Sequence, residues 1–136
     1  MAGYSGTPLA KKLGIKPGLR MHVVDGPDNY PQLLDPLPAD VAFVPTLRGK
    51  VDLIHVFVTA ADDLAAKLAA YRQRIVENGV IWVSWPKKAA KVPTDVTEDV
   101  VRVLALPLGL VDVKVCAVDE TWSGLKLVIR VENRKS

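Results

Sequence analysis

The sequence predicts an α/β domain of three layers, in which a mostly parallel sheet ends in an antiparallel hairpin. Three observations carry that prediction. VDLIHVFV at residues 51–58 and VIWVSW at 80–85 are apolar without alternation, as expected of strands covered on both faces. Between them, Leu64, Leu68, Tyr71 and Ile75 recur at spacings of four, three and four, the mark of one buried helix face. Beyond them, VDVKVCAV at 111–118 and LKLVIRVE at 125–132 alternate almost strictly, which identifies strands that bury one face only. A strand–helix–strand order with right-handed crossovers sets the central strands parallel. With a terminal hairpin added, the predicted architecture is Rossmann-like, of the methyltransferase-like type.

The elements follow in order. Thr7 serves as an N-cap, Pro8 occupies the first helical position and Gly14 stops the turn, so a short helix is expected. Residues 1–18 form an N-terminal basic helical segment: residues 1–24 hold Lys11, Lys12, Lys16 and Arg20 and no acid. A KPG turn leads into a first strand at 19–24, which ends in DGPDNYP. A brief helical turn at 30–34 is broken by DPLP, and a short strand is expected at 41–44. Thr59 and Asp62 form a capping pair for a helix over 60–77, closed by Asn78 and Gly79. Asp95 and Glu98 stand in the D-x-x-E relation of a capping box. They predict a helix over 96–106 with Val96, Val100, Val103 and Leu104 as its inner stripe, ended by Pro107. DETWSG at 119–124 connects the two hairpin strands at a sheet edge.

Composition bounds the function classes. With 136 residues, 49% of them hydrophobic and 24% charged, residues 1–136 are read as one globular domain rather than a disordered chain. No apolar stretch reaches the roughly 18 to 20 residues of a membrane span. The opening residues lack a secretory core, and a single cysteine, Cys116, leaves no intramolecular disulfide to form. A cytoplasmic setting is expected.

Four polar segments follow strands: 25–30, 59–63, 85–95 and 119–124. A doubly wound sheet gathers such segments at its carboxyl end, where ligands bind. Asp25 and Thr59 are candidates there. Pro86 and Pro93 stiffen the longest segment, and its Lys87, Lys88 and Lys91 precede a helix N-terminus, a combination suited to a phosphate or carboxylate. Trp85 and Trp122, with Ser123, are expected to flank the ligand, because an indole stacks and donates one hydrogen bond.

No catalytic group stands out. His22 and His55 fall inside strands, and Cys116 has only Lys114 as a basic neighbour in sequence. One cysteine and two strand histidines do not make a zinc site. Neither GxxxxGK[ST] nor G-x-G-x-x-G occurs, so no cofactor is expected, neither S-adenosylmethionine nor NAD.

Three segments carry a resemblance: YSGTPLAKKLGIKPG at 4–18, WPKKAAKVPTDVTEDVVR at 85–102 and GLVDVKVCAVDETWSGLKLVIR at 109–130. Together they resemble a short, free-standing bacterial family catalogued as a domain of unknown function, thirty fifty-two in that series. The resemblance implies a single cytoplasmic domain and brings no activity, ligand or catalytic residue.

The leading expectation is a non-catalytic module that binds a small anionic ligand or a protein partner at the strand-end surface. The alternative is a degenerate S-adenosylmethionine methyltransferase-like enzyme, with Gly26 in the loop after the first strand. A third reading, nucleic-acid binding, rests on the basic N-terminal segment and the lysine loop, without a recognition helix or RNA-binding aromatic motif.

Overall fold

A computed structural model describes residues 7–134. The expected helix at the N-terminus is present as α1 (Leu9–Leu13), with Pro8 at its N-cap and Gly14 closing it at a φ of 80°. Residues 1–6 of the expected basic segment lie outside the described residues. The chain continues through β1 (Arg20–Val24), α2 (Tyr30–Leu33), β2 (Ala42–Phe43), β3 (Val51–Phe57) and α3 (Ala61–Gln73). It ends with β4 (Ile75–Pro86), α4 (Glu98–Ala105), β5 (Leu110–Ala117) and β6 (Trp122–Ile129).

The six strands form one sheet in the order β2-β1-β3-β4-β6-β5. The first four are parallel, and β6 lies antiparallel between β4 and β5. The terminal hairpin therefore inserts its second strand against the central sheet and leaves β5 at the edge.

Both faces of the central strands are covered, which is why their sequences do not alternate. On one face Ile54, Val56, Ile81, Val83 and Trp85 pack with Leu64, Leu68 and Tyr71 of α3 and with Val101 and Ala105 of α4. On the other, Met21, Leu53, Phe57 and Trp82 pack with Ala10 and Leu13 of α1 and with Tyr30 of α2. The three-layer methyltransferase-like arrangement is thus realised. No helix among the described residues is long and apolar enough to cross a membrane.

Several boundaries differ from the sequence expectation for identifiable reasons. The helix expected over 60–77 stops at Gln73, because Ile75 enters β4 opposite Val51. Gly79 does not cap a helix; it lies where the β3–β4 register shifts, between the pairs Val51–Ile75 and Leu53–Val80. A Cβ there would come within 2.9 Å of the Val76 carbonyl oxygen and 3.1 Å of that of Asp52, so the close backbone approach requires glycine.

The capping box expected of Asp95 and Glu98 is also replaced. Thr97 caps α4, accepting from the Val100 N–H at 3.2 Å. The helix consequently turns Val101 and Ala105 inward and leaves Val103 exposed. Trp122 and Ser123 belong to β6 rather than to the hairpin turn.

Asp95 is instead used by α3. Its Oδ1 accepts from the Ala61 N–H at 2.7 Å, supplying across 34 residues the N-terminal cap that neither Thr59 nor Ala60 provides by a side chain. Asp95→Ala is expected to destabilise the fold by about 1 kcal/mol, read by chemical denaturation. A loss below about 0.3 kcal/mol would mean that water replaces this cap without cost.

Candidate functional site

The carboxyl end of the sheet is assembled by hydrogen bonds between segments far apart in sequence. The Thr59 carbonyl accepts from Thr94 Oγ1 at 2.6 Å and from the Asp95 N–H at 3.3 Å. The Lys87 N–H donates to the Thr121 carbonyl at 2.8 Å. Asp119 Oδ1 accepts from the N–H groups of Thr121 and Trp122, both at 2.8 Å, which fixes the hairpin turn. The Trp122 ring meets Phe57 edge-on at 5.0 Å, and Phe57 meets Tyr30 edge-on at 5.7 Å. All four polar segments are thereby brought to one end of the sheet.

The two candidate indoles do not face one another, however. Trp85 packs into the core beneath α3 and α4, while Trp122 packs on the opposite face of the sheet. Strand geometry imposes this separation: Trp85 is paired with Ser123, and Pro86 with Trp122, so the two indoles fall on alternate faces. The expectation that they flank one ligand is therefore corrected. Ser123 lies on the Trp85 side and is half-buried. Lys87 is half-buried, whereas Lys88 and Lys91 are exposed on a single 3₁₀ turn. Among the described residues none of these three lysines makes a salt bridge.

A different feature marks the crevice between β1 and β3. The chain leaves β1 toward β2 on one side and returns to β3 on the other, which makes this the topological switch point of the sheet. Asp25, exposed at the end of β1, adopts a left-handed φ of 56°, a conformation that aspartate tolerates better than most residues. Asp62 and Asp63 occupy the first turn of α3, and Asp63 holds Lys67 at 3.0 Å. Burial raises the Tyr71 phenol pKa; Lys67 opposes the shift, while Asp63 and Asp25 add to it. The switch point therefore gathers the carboxylates of Asp25, Asp62 and Asp63, with Lys67 offsetting the charge of Asp63.

Sequence reasoning passed over a buried polar chain beneath this end of the sheet. Tyr30 Oη lies 2.8 Å from His55 Nδ1, and His55 Nε2 lies 2.8 Å from Ser84 Oγ. His55 and Ser84 are fully buried, and Phe57 stacks on the imidazole at 4.3 Å. Burial pushes the His55 pKa down to about 3 and raises that of Tyr30. The imidazole is thus neutral at physiological pH, with a donor and an acceptor for its two partners. The chain ties the loop after β1 to β3 and β4; its serine has no solvent access. The available signal was a histidine and a serine inside otherwise apolar strands, since buried polar groups require partners.

The architecture is shared with known proteins. A proposed type 11 methyltransferase from Sulfolobus solfataricus superposes with a TM-score of 0.66 at 12% identity, over 94% of this chain and 93% of that one. A magnesium protoporphyrin IX methyltransferase from Synechocystis PCC 6803, with bound S-adenosylmethionine, gives 0.62 at 12% identity over 88% and 74%. A SAM-dependent methyltransferase from Aquifex aeolicus gives 0.60 at 15% identity over 89% and 87%. No protein-family model and no curated protein matches the chain in sequence. These likenesses, all to methyltransferases, count against the expectation of a non-catalytic module for a small anion or protein partner; what they show of this chain is the shared fold.

Proposed function

We propose that this protein is a small methyltransferase-like enzyme that binds S-adenosylmethionine at the switch point between β1 and β3. The observation that carries the reading is the group of carboxylates at that crevice, in a fold similar to that of a methyltransferase solved with bound S-adenosylmethionine.

The residues distinguish between nucleotide cofactors. Gly26 follows β1, but a Cβ on it would come within 2.8 Å of Val23 Cγ1, so the loop packs down on its own strand. Pro27 contributes no N–H. A pyrophosphate would find no amide cradle here, and a dinucleotide does not fit. S-adenosylmethionine carries no phosphate. Its α-ammonium and sulfonium are cationic, and carboxylates at a strand end suit them.

In this reading Asp25 holds the ammonium group, with Asp28 adding negative potential and Thr59 offering its hydroxyl from the end of β3. When bound, the cofactor supplies an electrophilic methyl group. The Tyr30–His55–Ser84 chain keeps the Asp25 loop in place and takes no part in proton transfer. Membership of the bacterial family that the sequence resembles, and a cytoplasmic setting, belong to the same proposal.

The test is thermal unfolding with S-adenosylhomocysteine, using the wild type and Asp25→Asn, a variant that keeps a residue tolerant of the left-handed turn. Ligand at about 100 times Kd stabilises by roughly 2.7 kcal/mol, an upward shift of several degrees. Asp25→Asn is expected to weaken binding by about 1.5–3 kcal/mol, the worth of a charged hydrogen bond. Equal shifts for both proteins would remove Asp25 from the site, and no shift at millimolar ligand would remove the proposal.

A further inference from the structure

A second surface, at the β5 edge of the sheet and away from the β1–β3 crevice, has an electrostatic arrangement that the fold does not require. Lys114 of β5 stands directly opposite Lys126 of β6. Like charges paired across two strands are unfavourable. Above Lys114, α1 contributes Lys11 and Lys12 and no acid. Lys114 Nζ lies 3.5 Å from the Lys12 carbonyl oxygen, tying the helix to the strand. The acid within β5, Asp112, is engaged by Arg102 at 2.8 Å, from α4 on the opposite face.

Lys11, Lys12 and Lys114 border a groove of about 430 Å³ between α1 and β5, also lined by Thr7, Val115 and Cys116. β5 ends the strand order. An edge strand presents a row of backbone donors and acceptors that a further strand can pair with. A register shift at Val113 interrupts the strand, leaving residues 114–117 as the regular stretch beside the groove. Val113 and Val115 are 53% and 50% exposed. Basic side chains, exposed valines and an open strand edge thus occupy one strip.

We infer that this strip docks an extended acidic peptide segment, which adds to the edge of β5 while its carboxylates meet Lys11 and Lys114. An edge-added strand gains affinity from main-chain hydrogen bonds and specificity from alternate side chains. The strip supplies both requirements, in a register where apolar and acidic residues of the peptide alternate. A single-stranded nucleic acid would share the charge complementarity but would require stacking platforms. Among the described residues, the groove is lined by no aromatic side chain.

Fluorescence anisotropy on the full chain at low salt tests the inference. Three labelled octamers serve as ligands: one alternating glutamate and valine, one of the same sequence but with two central valines replaced by proline, and a single-stranded oligonucleotide. The alternating peptide is expected to bind saturably and at least tenfold more tightly than the other two. A Lys11→Glu/Lys114→Glu double variant is expected to lose that binding at least tenfold while remaining folded by circular dichroism. Equal binding of the proline peptide would overturn strand addition. Oligonucleotide binding as tight as peptide binding would overturn the choice of partner, and absence of binding by any octamer would overturn both. The comparison of octamers uses the wild type alone, so it stands even if the double variant fails to fold.

Discussion

Trp82→Ala is expected to lower the unfolding free energy by about 3–5 kcal/mol, in the range found for truncating large buried side chains. Trp82 is fully buried on the α1 face of β4 and donates from Nε1 to the Leu13 carbonyl at 2.9 Å. Truncation therefore opens a cavity and also orphans a carbonyl at the end of α1. Five residues cannot hold a helix by themselves, so α1 depends on this anchor and on Leu13, which is also fully buried. Trp82→Phe should cost less, about 1–3 kcal/mol, since it keeps most of the packing and loses the hydrogen bond. Urea denaturation followed by circular dichroism measures both. A loss below about 1.5 kcal/mol for Trp82→Ala would show that α1 is not held through this residue.

Acid should destabilise the protein through His55 before its carboxylates titrate. Burial lowers the folded-state pKa of His55 from 6.5 to about 3. Between those values the unfolded chain binds a proton that the native state does not, so stability rises with pH and is fully present only above about 6.5. As pH falls through that window the loss is about 1.4 kcal/mol per pH unit. From pH 6 to pH 4.5 the contribution is therefore roughly 2 kcal/mol. His55→Gln removes the titrating group, and the difference between wild-type and variant slopes isolates it from the carboxylates. Parallel slopes for the two proteins would mean that His55 is protonated in the folded state.

The fold was legible wherever one physical signal dominated. Unalternating runs at 51–58 and 80–85 became β3 and β4, and the alternating pair near the C-terminus became β5 and β6. Local capping rules succeeded at Gly14, where the partners are neighbours in sequence. They misled at Asp95, because that carboxylate caps a helix that begins 34 residues earlier.

The candidate site was legible only as a place. Asp25 and Thr59 stand at the expected strand ends, but their grouping depends on the strand order, which places β1 beside β3. The two indoles were separated by a parity in the β4–β6 register that no local pattern discloses. The lysines at 87, 88 and 91 are conspicuous in the sequence because they lie within five residues. The carboxylates at the switch point are dispersed over residues 25–63 and become a cluster only in three dimensions. The missing glycine-rich loop bears on a pyrophosphate; S-adenosylmethionine carries none, which is where the proposed function departs from the sequence expectation of no cofactor.

The most direct test of the account is a titration of the isotopically labelled full chain with S-adenosylmethionine, followed by amide chemical shifts. Saturable binding is predicted, with the largest shifts at Asp25, Gly26, Thr59 and Asp63. Absence of shifts at millimolar ligand, or shifts confined to Lys87, Lys88 and Lys91, would contradict it.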